Sequence, residues 1–209
     1  MKRKQNTNLL IPTVIERTPG GERYFDIYSR LLEERILFIG DAIDFHMANL
    51  VVAQILYLEH KNPKRDISIY VNSVGGIIDA GFAIYDAMCH VSPDIVTIGV
   101  GLAGSMGAFL LAGGTKGKRY VLPNTRVMIH QPMGGAKGQA SDVEIAAQEL
   151  IKDKVKLVSY LVEFTSQAKS KIEADVERDH WLNAKEAVKY GLVDKVMDYK
   201  KKTWKPVYV

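Results

Sequence analysis

An α/β fold with a largely parallel sheet is what this 209-residue sequence predicts. Three observations carry that expectation. Short runs rich in Ile, Val and Tyr alternate with segments whose apolar residues recur at helical spacing. The turns joining them are short, and small residues mark two of them, Gly75-Gly76 and Gly104-Ser105. The apolar share of 47% and charged share of 25% are those of an ordinary soluble globular protein.

Each element follows from local pattern. Residues 1–23 lack helical periodicity, contain Pro12, Pro19, Gly20 and Gly21, and read as an extended arm or loop. Asp26 is placed to cap a helix carrying Ile27, Leu31 and Leu32 on one face. Residues 35–40 form a short apolar run closed by glycine, a strand. A longer helix from Asp44 carries Phe45, Ala48, Leu50, Val51, Ile55 and Leu58, and Asn62-Pro63 stops it. Residues 66–72 alternate as a strand. After the Gly75-Gly76 turn, residues 77–89 read as a helix, and residues 95–100 as the strand that feeds a buried helix over 106–112. Residues 119–122 and 125–130 are further short strands. Beyond a flexible turn at 134–139, Ser141 and Glu144 have the spacing of a capping box opening a long helix. That helix carries Ile145, Ala146, Leu150, Val155, Leu157, Val158, Leu161 and Val162, and is expected to project and to need a partner surface. Asn183 and Glu186 cap a last short helix ended by Gly191, and residues 192–197 resemble a final strand.

Composition bounds the function classes. No apolar run approaches the ~20 residues needed to span a bilayer, and Leu9-Leu-Ile-Pro12 is too short for the core of a secretory signal. The single cysteine, Cys89, rules out an internal disulfide and agrees with a reducing cytoplasm. The net charge is +4, and much of the excess lies in Lys2, Arg3 and Lys4 and in Lys195, Lys200, Lys201, Lys202 and Lys205. Without an aromatic-interleaved basic stripe, those ends read as solvated and no nucleic-acid partner is expected. No histidine pair has a zinc-motif spacing, so no metal site is expected.

The stretch Gly101-Leu-Ala-Gly-Ser-Met-Gly-Ala-Phe-Leu-Leu-Ala-Gly-Gly114 sets Ser105 among small residues at the mouth of an apolar helix. Two readings fit. Ser105 caps the helix, or it is a nucleophile beside the unpaired N–H groups and positive dipole end of that helix. Of the five histidines, His46 and His60 flank a helix, and His90 follows one. His130 stands at a strand end before Gln131-Pro132 and is the candidate base. Asp175, Glu177 and Asp179 crowd around Arg178, and spacing does not choose among them as the acid that would orient His130. Backbone donors for an oxyanion are available at Met106 and at Gly75 or Gly76. A lipase-type nucleophile elbow fits poorly, because Ala103 stands where Gly-x-Ser-x-Gly needs glycine and the histidine precedes the acids.

Several of these segments, in this order, resemble the ClpP family, the proteolytic subunits of Clp proteases. They are Leu10-Ile-Pro-Thr-Val-Ile-Glu16, Arg35-Ile-Leu-Phe-Ile-Gly40, Tyr70-Val-Asn-Ser-Val-Gly-Gly76, Ser105-Met-Gly-Ala-Phe-Leu-Leu111, Met128-Ile-His-Gln-Pro132 and Glu177-Arg-Asp179. The resemblance runs from about residue 10 to residue 196. It implies the ClpP/crotonase-like fold of repeated β-β-α units with a protruding handle helix at about 134–165. It divides the chain into an arm or axial loop at 1–23, a protease domain at 24–198 and a basic tail at 199–209. It implies a Ser105, His130, Asp179 triad, oxyanion donors at Gly76 and Met106, and a ring-to-ring contact at Glu177 and Arg178. It further implies two stacked heptameric rings of this chain that degrade unfolded polypeptides, fed by an AAA+ unfoldase of the ClpX or ClpA/ClpC kind. No cofactor is expected in this chain: it lacks Gly-x-x-x-x-Gly-Lys-[Ser/Thr], so ATP would be used by the unfoldase. A bacterial cytoplasm is expected rather than an organellar matrix, since no transit-peptide pattern is seen. Two departures stand out: Val74 where the family usually has proline, and Gly104 where it has alanine. A crotonase-fold acyl-coenzyme A enzyme is the rival reading, and it has no need of a serine–histidine pair. A non-catalytic ring subunit is the second, and it would be expected to have lost triad residues.

Overall fold

A computed structural model describes residues 11–198. The parts of the arm and basic tail at 1–10 and 199–209 lie outside the described residues.

Within the arm, residues 11–26 form a hairpin rather than an irregular extended segment. Strand β1 (Thr13–Thr18) pairs antiparallel with β2 (Gly21–Asp26) around a turn at Pro19-Gly20. Gly21 sits at φ 117°, a conformation that favours glycine. Most of the side chains are exposed, so the strands lack the apolar alternation that marks a half-buried strand. Asp26 caps helix α1 (Ile27–Glu33), accepting from the Ser29 N–H at 2.9 Å. Arg30 on α1 pairs with Glu16 on β1 and ties the hairpin to the body.

Among the described residues the main sheet has seven strands. Strands β3 (Ile36–Ile39), β4 (Ile67–Ser73), β5 (Ile95–Gly104), β6 (Arg119–Val121) and β9 (Lys195–Val196) follow one another in parallel. Strand β7 (Arg126–Ile129) pairs parallel with the far end of β5, and β8 (His180–Asn183) pairs antiparallel with β7. Thus β5 serves two neighbours on one side, β6 along residues 97–99 and β7 along residues 102–104. The changeover has a local cause. The register with β4 jumps from Val71↔Gly99 to Ser73↔Ala103, so Val100, Gly101 and Leu102 face the single residue Asn72. Gly101 accommodates this at φ 69°, and Asn72 Oδ1 accepts from the Leu102 N–H at 3.2 Å. Such a bulge re-aims the end of a strand.

Helix α2 (Phe45–Lys61) buries Ala48, Val51, Ile55 and Leu58, whereas Phe45 and Leu50, read from sequence as part of that face, are 56% and 50% exposed. The helix after β4 is α3 (Ile78–His90). Helix α4 (Met106–Ala112) has every residue buried, as a helix apolar on all sides requires. Helix α5 (Ala140–Thr165) buries Val158, Leu161 and Thr165 near its C-terminal end, while Val143, Ile145, Ile151 and Val155 stay exposed. The projecting half therefore carries apolar side chains with nothing over them. Phe82, Tyr85, Phe109, Tyr160 and Phe164 join α3, α4 and the base of α5, with ring centroids 5.2–5.9 Å apart. The expected Ser141–Glu144 capping box does not form. Helix α5 begins two residues earlier, at Ala140 after Gln139, which places Ser141 inside its first turn. The Asn183–Glu186 box on α7 (Ala184–Tyr190) does form, and Gly191 closes that helix at φ 94°. A short helix α6 (Lys169–Asp175), unmarked in the sequence, buries only Ile172.

Arg119, 4% exposed, ties several of these parts together. It donates to both oxygens of Asp194 at 2.7 and 3.0 Å, to the Ala112 carbonyl at 3.1 Å and to the Phe164 carbonyl at 3.0 Å. Burial alone would raise the Asp194 carboxyl, but the Arg119 hydrogen bonds and charge hold it below its ordinary value of 3.8. Breaking a buried pair by removing one partner strands the other, at about 3–5 kcal/mol. Asp194→Ala is therefore expected to lower stability by that amount at neutral pH, read by denaturant unfolding. Because the native pKa is depressed, the wild-type contribution is present above the unfolded pKa of about 4 and fades as pH falls through the native value. The gap in Tm between variant and wild type should accordingly narrow below pH about 4.

Candidate active site

Ser105 occupies a sharp strand-to-helix turn between β5 and α4. Its backbone sits at φ 53°, ψ −122°, a sparsely populated region for a non-glycine residue. The capping reading fails, since no side-chain bond caps α4. The strained turn is the kind that exposes a nucleophile at a sheet edge, although glycine does not precede Ser105 by two residues. Two backbone bonds lock it: the Ser105 N–H donates to Met128 O at 2.8 Å and the Phe109 N–H to Ser105 O at 3.0 Å.

The freed hydroxyl meets a histidine. Ser105 Oγ lies 2.8 Å from His130 Nε2, within the range for proton transfer. His130 follows β7, the strand that the bulged end of β5 recruits, so the β5–β7 pairing brings the two together. Its ring is 9% exposed, and Nδ1 is 3.3 Å from Asp179 Oδ1. That is longer than the 2.7–2.9 Å of a well-formed charge-assisted bond, and Asp179 is 56% exposed. Asp179 immediately precedes β8, whose pairing with β7 sets His180 opposite Ile129.

The structure separates the three acids that spacing could not. Asp175 accepts from Tyr190 at 2.6 Å and Lys171 at 2.5 Å. Burial opposes its ionisation, yet these bonds hold its carboxyl below the usual range; burial, and then the bond to Asp175, push the Tyr190 hydroxyl up. Glu177 pairs with Lys154 on α5 at 3.1 Å, which lowers its carboxyl too. Of the three acids, Asp179 is the one paired with His130.

Gly76 and Met106 line the same pocket as Ser105 and His130. The Ile43 bridge uses Gly75 O and the Ile77 N–H on either side of Gly76. Met106 N is the first amide of α4, a position without an intrahelical acceptor. Neither the Gly76 nor the Met106 amide has an acceptor among the described residues. Space here admits only glycine. A Cβ on Gly75 would fall 2.6 Å from Ser105 Cβ, and one on Gly76 would collide with the Ile43 carbonyl. A Cβ on Gly104 would lie 3.1 Å from Val74 O, so glycine eases that approach.

The pocket, of about 90 Å³, has an apolar wall that sequence reading did not assign: Ile78, Phe109, Ile129, Leu157 and Leu161. The 157/161 spacing on a helix was its one visible signal. Beyond it, Gln131, Pro132, Met133, Glu177 and Arg178 flank His130 and Asp179 in a wider surface hollow. Glu177 and Arg178 are thus neighbours of the Ser–His–Asp cluster. Among the described residues, no group of three or more His, Cys, Asp or Glu could hold a metal, and no helix is long and apolar enough to cross a membrane.

A mostly parallel α/β sheet with a hydrogen-bonded serine–histidine pair at a strained strand-to-helix turn is the build of a serine peptidase. The Clp protease family model matches residues 19–200 of this chain. The chain belongs to the Clp protease family, and is a ClpP-like peptidase with the mixed α/β fold of that family.

Two outcomes follow from the geometry. Asp179→Asn, which keeps the shape but loses the charge beside His130, should lower kcat for a fluorogenic peptide by roughly a thousandfold or more. Gly75→Ala should abolish cleavage, because its Cβ displaces Ser105 from His130, while size-exclusion chromatography still shows folded protein.

Proposed function

We propose that this chain is the proteolytic subunit of an ATP-dependent Clp protease, a serine endopeptidase that cuts unfolded polypeptides to short peptides. The observation that carries the reading is the 2.8 Å contact between Ser105 Oγ and His130 Nε2 in a pocket shared with Gly76 and Met106. His130 Nε2 takes the hydroxyl proton as Ser105 Oγ attacks the peptide carbonyl. The tetrahedral oxyanion accepts from the Gly76 and Met106 amides, which have no other acceptor to give up. His130 then returns the proton to the leaving amine, and water, deprotonated by the same ring, releases the acyl group from Ser105. Asp179 orients the ring through Nδ1. The apolar wall receives a side chain of the substrate. A crotonase-type acyl-coenzyme A enzyme would not need this serine–histidine pair.

The assembly is proposed as two stacked heptameric rings of this chain. The exposed apolar half of α5, with Val143, Ile145, Ile151 and Val155, supplies a surface that a second copy covers. Glu177 and Arg178 adjoin Asp179 in sequence and share its hollow, so a ring contact made through them tightens the His130–Asp179 pair. Unfolded chains are delivered by an AAA+ unfoldase of the ClpX or ClpA/ClpC kind, which hydrolyses the ATP. A bacterial cytoplasm is the proposed setting.

Ser105→Ala is expected to abolish hydrolysis of fluorogenic peptides while leaving the high-mass assembly intact by analytical ultracentrifugation; retained hydrolysis would sink the assignment. Arg178→Ala should weaken ring stacking and lower peptidase activity together. Full activity in a stable double ring would contradict the coupling.

A further inference from the structure

The turn that presents Gly76 is held by a buried hydroxyl outside the Ser–His–Asp cluster. Ser73 ends β4 and is 3% exposed. Its Oγ donates to the Asp41 carbonyl at 2.6 Å and accepts from the Gly75 N–H at 3.0 Å. A serine hydroxyl has one proton to donate, so this side chain staples the 41–43 segment to the amide next to Gly76. Two further bonds complete the staple. The Ile43 N–H donates to Gly75 O at 2.9 Å and the Ile77 N–H to Ile43 O at 2.7 Å. Three of these four bonds fall on Gly75 or Ile77, the neighbours of Gly76, and none takes the Gly76 amide.

Ser73 also touches the other half of the site. A Cβ on Gly107 would come 3.0 Å from Ser73 O and 3.4 Å from Ser73 Cβ, so the first turn of α4 rests against this residue. A Cβ on Gly75 would lie 3.0 Å from Met106 N. The two amides assigned to the oxyanion are therefore spaced through one packed unit, Ser73 with Gly75 on one side and Gly107 on the other. Residue 74 gives the turn little help. Val74 is 64% exposed and has no ring to fix its φ, which leaves the hydroxyl as the side-chain constraint on the turn.

We propose that Ser73 is a positioning residue for catalysis, which sets the distance between the Gly76 and Met106 amides through its Oγ bonds to Asp41 and Gly75. The proposal rests on the reading of those amides as oxyanion donors. Without the hydroxyl, the Gly75 amide and the Asp41 carbonyl lose their shared partner, and the peptide unit carrying the Gly76 N–H is free to tilt. A tilted donor weakens an interaction made chiefly in the transition state, so kcat falls while KM holds.

The test compares wild type, Ser73→Ala, Ser73→Thr and Ser105→Ala, each taken from the high-mass fraction and normalised to assembled subunits. Ser73→Ala is expected to lower kcat for a fluorogenic peptide by about ten- to a hundredfold with KM changed less than about twofold, and to slow phosphonylation of Ser105 by a fluorophosphonate by the same factor. Ser73→Thr, which keeps a hydroxyl, should stay within about threefold of wild type. A purely structural role would lower Tm or the assembled fraction and leave the per-site rate at the wild-type value, and that result overturns the proposal. Should Ser73→Ala fail to assemble, Ser73→Cys replaces it. Its weak donor and acceptor should slow phosphonylation at least about fivefold relative to Ser73→Thr, and equal rates overturn the proposal. A wild-type chain that resists the probe as Ser105→Ala does overturns the underlying reading and this one with it. A labelled wild type with an equally fast Ser73→Ala overturns this one alone.

Discussion

Ser105 is held in a backbone conformation that a serine adopts only under constraint. At φ 53° and ψ −122° it costs about 1–3 kcal/mol, and the surrounding structure must supply that. It does so through the β5–β7 pairing. The Ser105 amide is bonded to Met128 O, and His130 stands two residues further along the same segment. One hydrogen bond thus fixes the turn that bares the hydroxyl and sets the distance to the ring that receives it. If β5 ran straight on beside β6, no strand would be present to hold either.

The bulge at Asn72 is what releases β5 from β6, and it needs Gly101 at positive φ and a side-chain acceptor for the Leu102 amide. Below it, α4 is buried on every side, so the Ser105 turn cannot relax by moving its helix. Arg119 binds the C-terminal ends of α4 and α5 to the Asp194 turn. The site is therefore rigid on its α4 and β7 sides. It is looser at Asp179, which is half exposed and 3.3 Å from its partner. A contact from a second ring at Glu177 and Arg178 would act on the looser side, which gives assembly a route to activity.

Much of this was legible in the sequence where one local force decides the outcome. Asp26 and the Asn183–Glu186 pair cap the helices their spacing predicted, and Asp44, from which the second helix was expected to run, is its N-cap. The buried helix after Ser105 and the parallel strands around it follow from apolar patterning. Patterning failed where exposure removes the contrast. The β1–β2 hairpin carries mostly exposed side chains, and α6 buries one residue, so neither shows a period. The Ser141–Glu144 spacing misled because a start two residues earlier, at Ala140, satisfies the same helix. Site residues were legible as kinds but not as partners. Spacing left Asp175, Glu177 and Asp179 open and the family resemblance pointed to Asp179; the physical reason the other two are taken, the Tyr190, Lys171 and Lys154 contacts, joins residues from separate elements. Ser73 gave no sign at all, since a serine at a strand end says nothing of what its hydroxyl reaches.

Ser105 as an activated nucleophile in an assembled particle is the central claim, and intact-mass analysis after fluorophosphonate treatment of size-fractionated protein tests it most directly. The account predicts one phosphonyl adduct per chain, mapped to Ser105, in a high-mass fraction. A high-mass fraction that stays unlabelled would contradict it, since the Ser105–His130 contact would then exist without the reactivity it is held to confer.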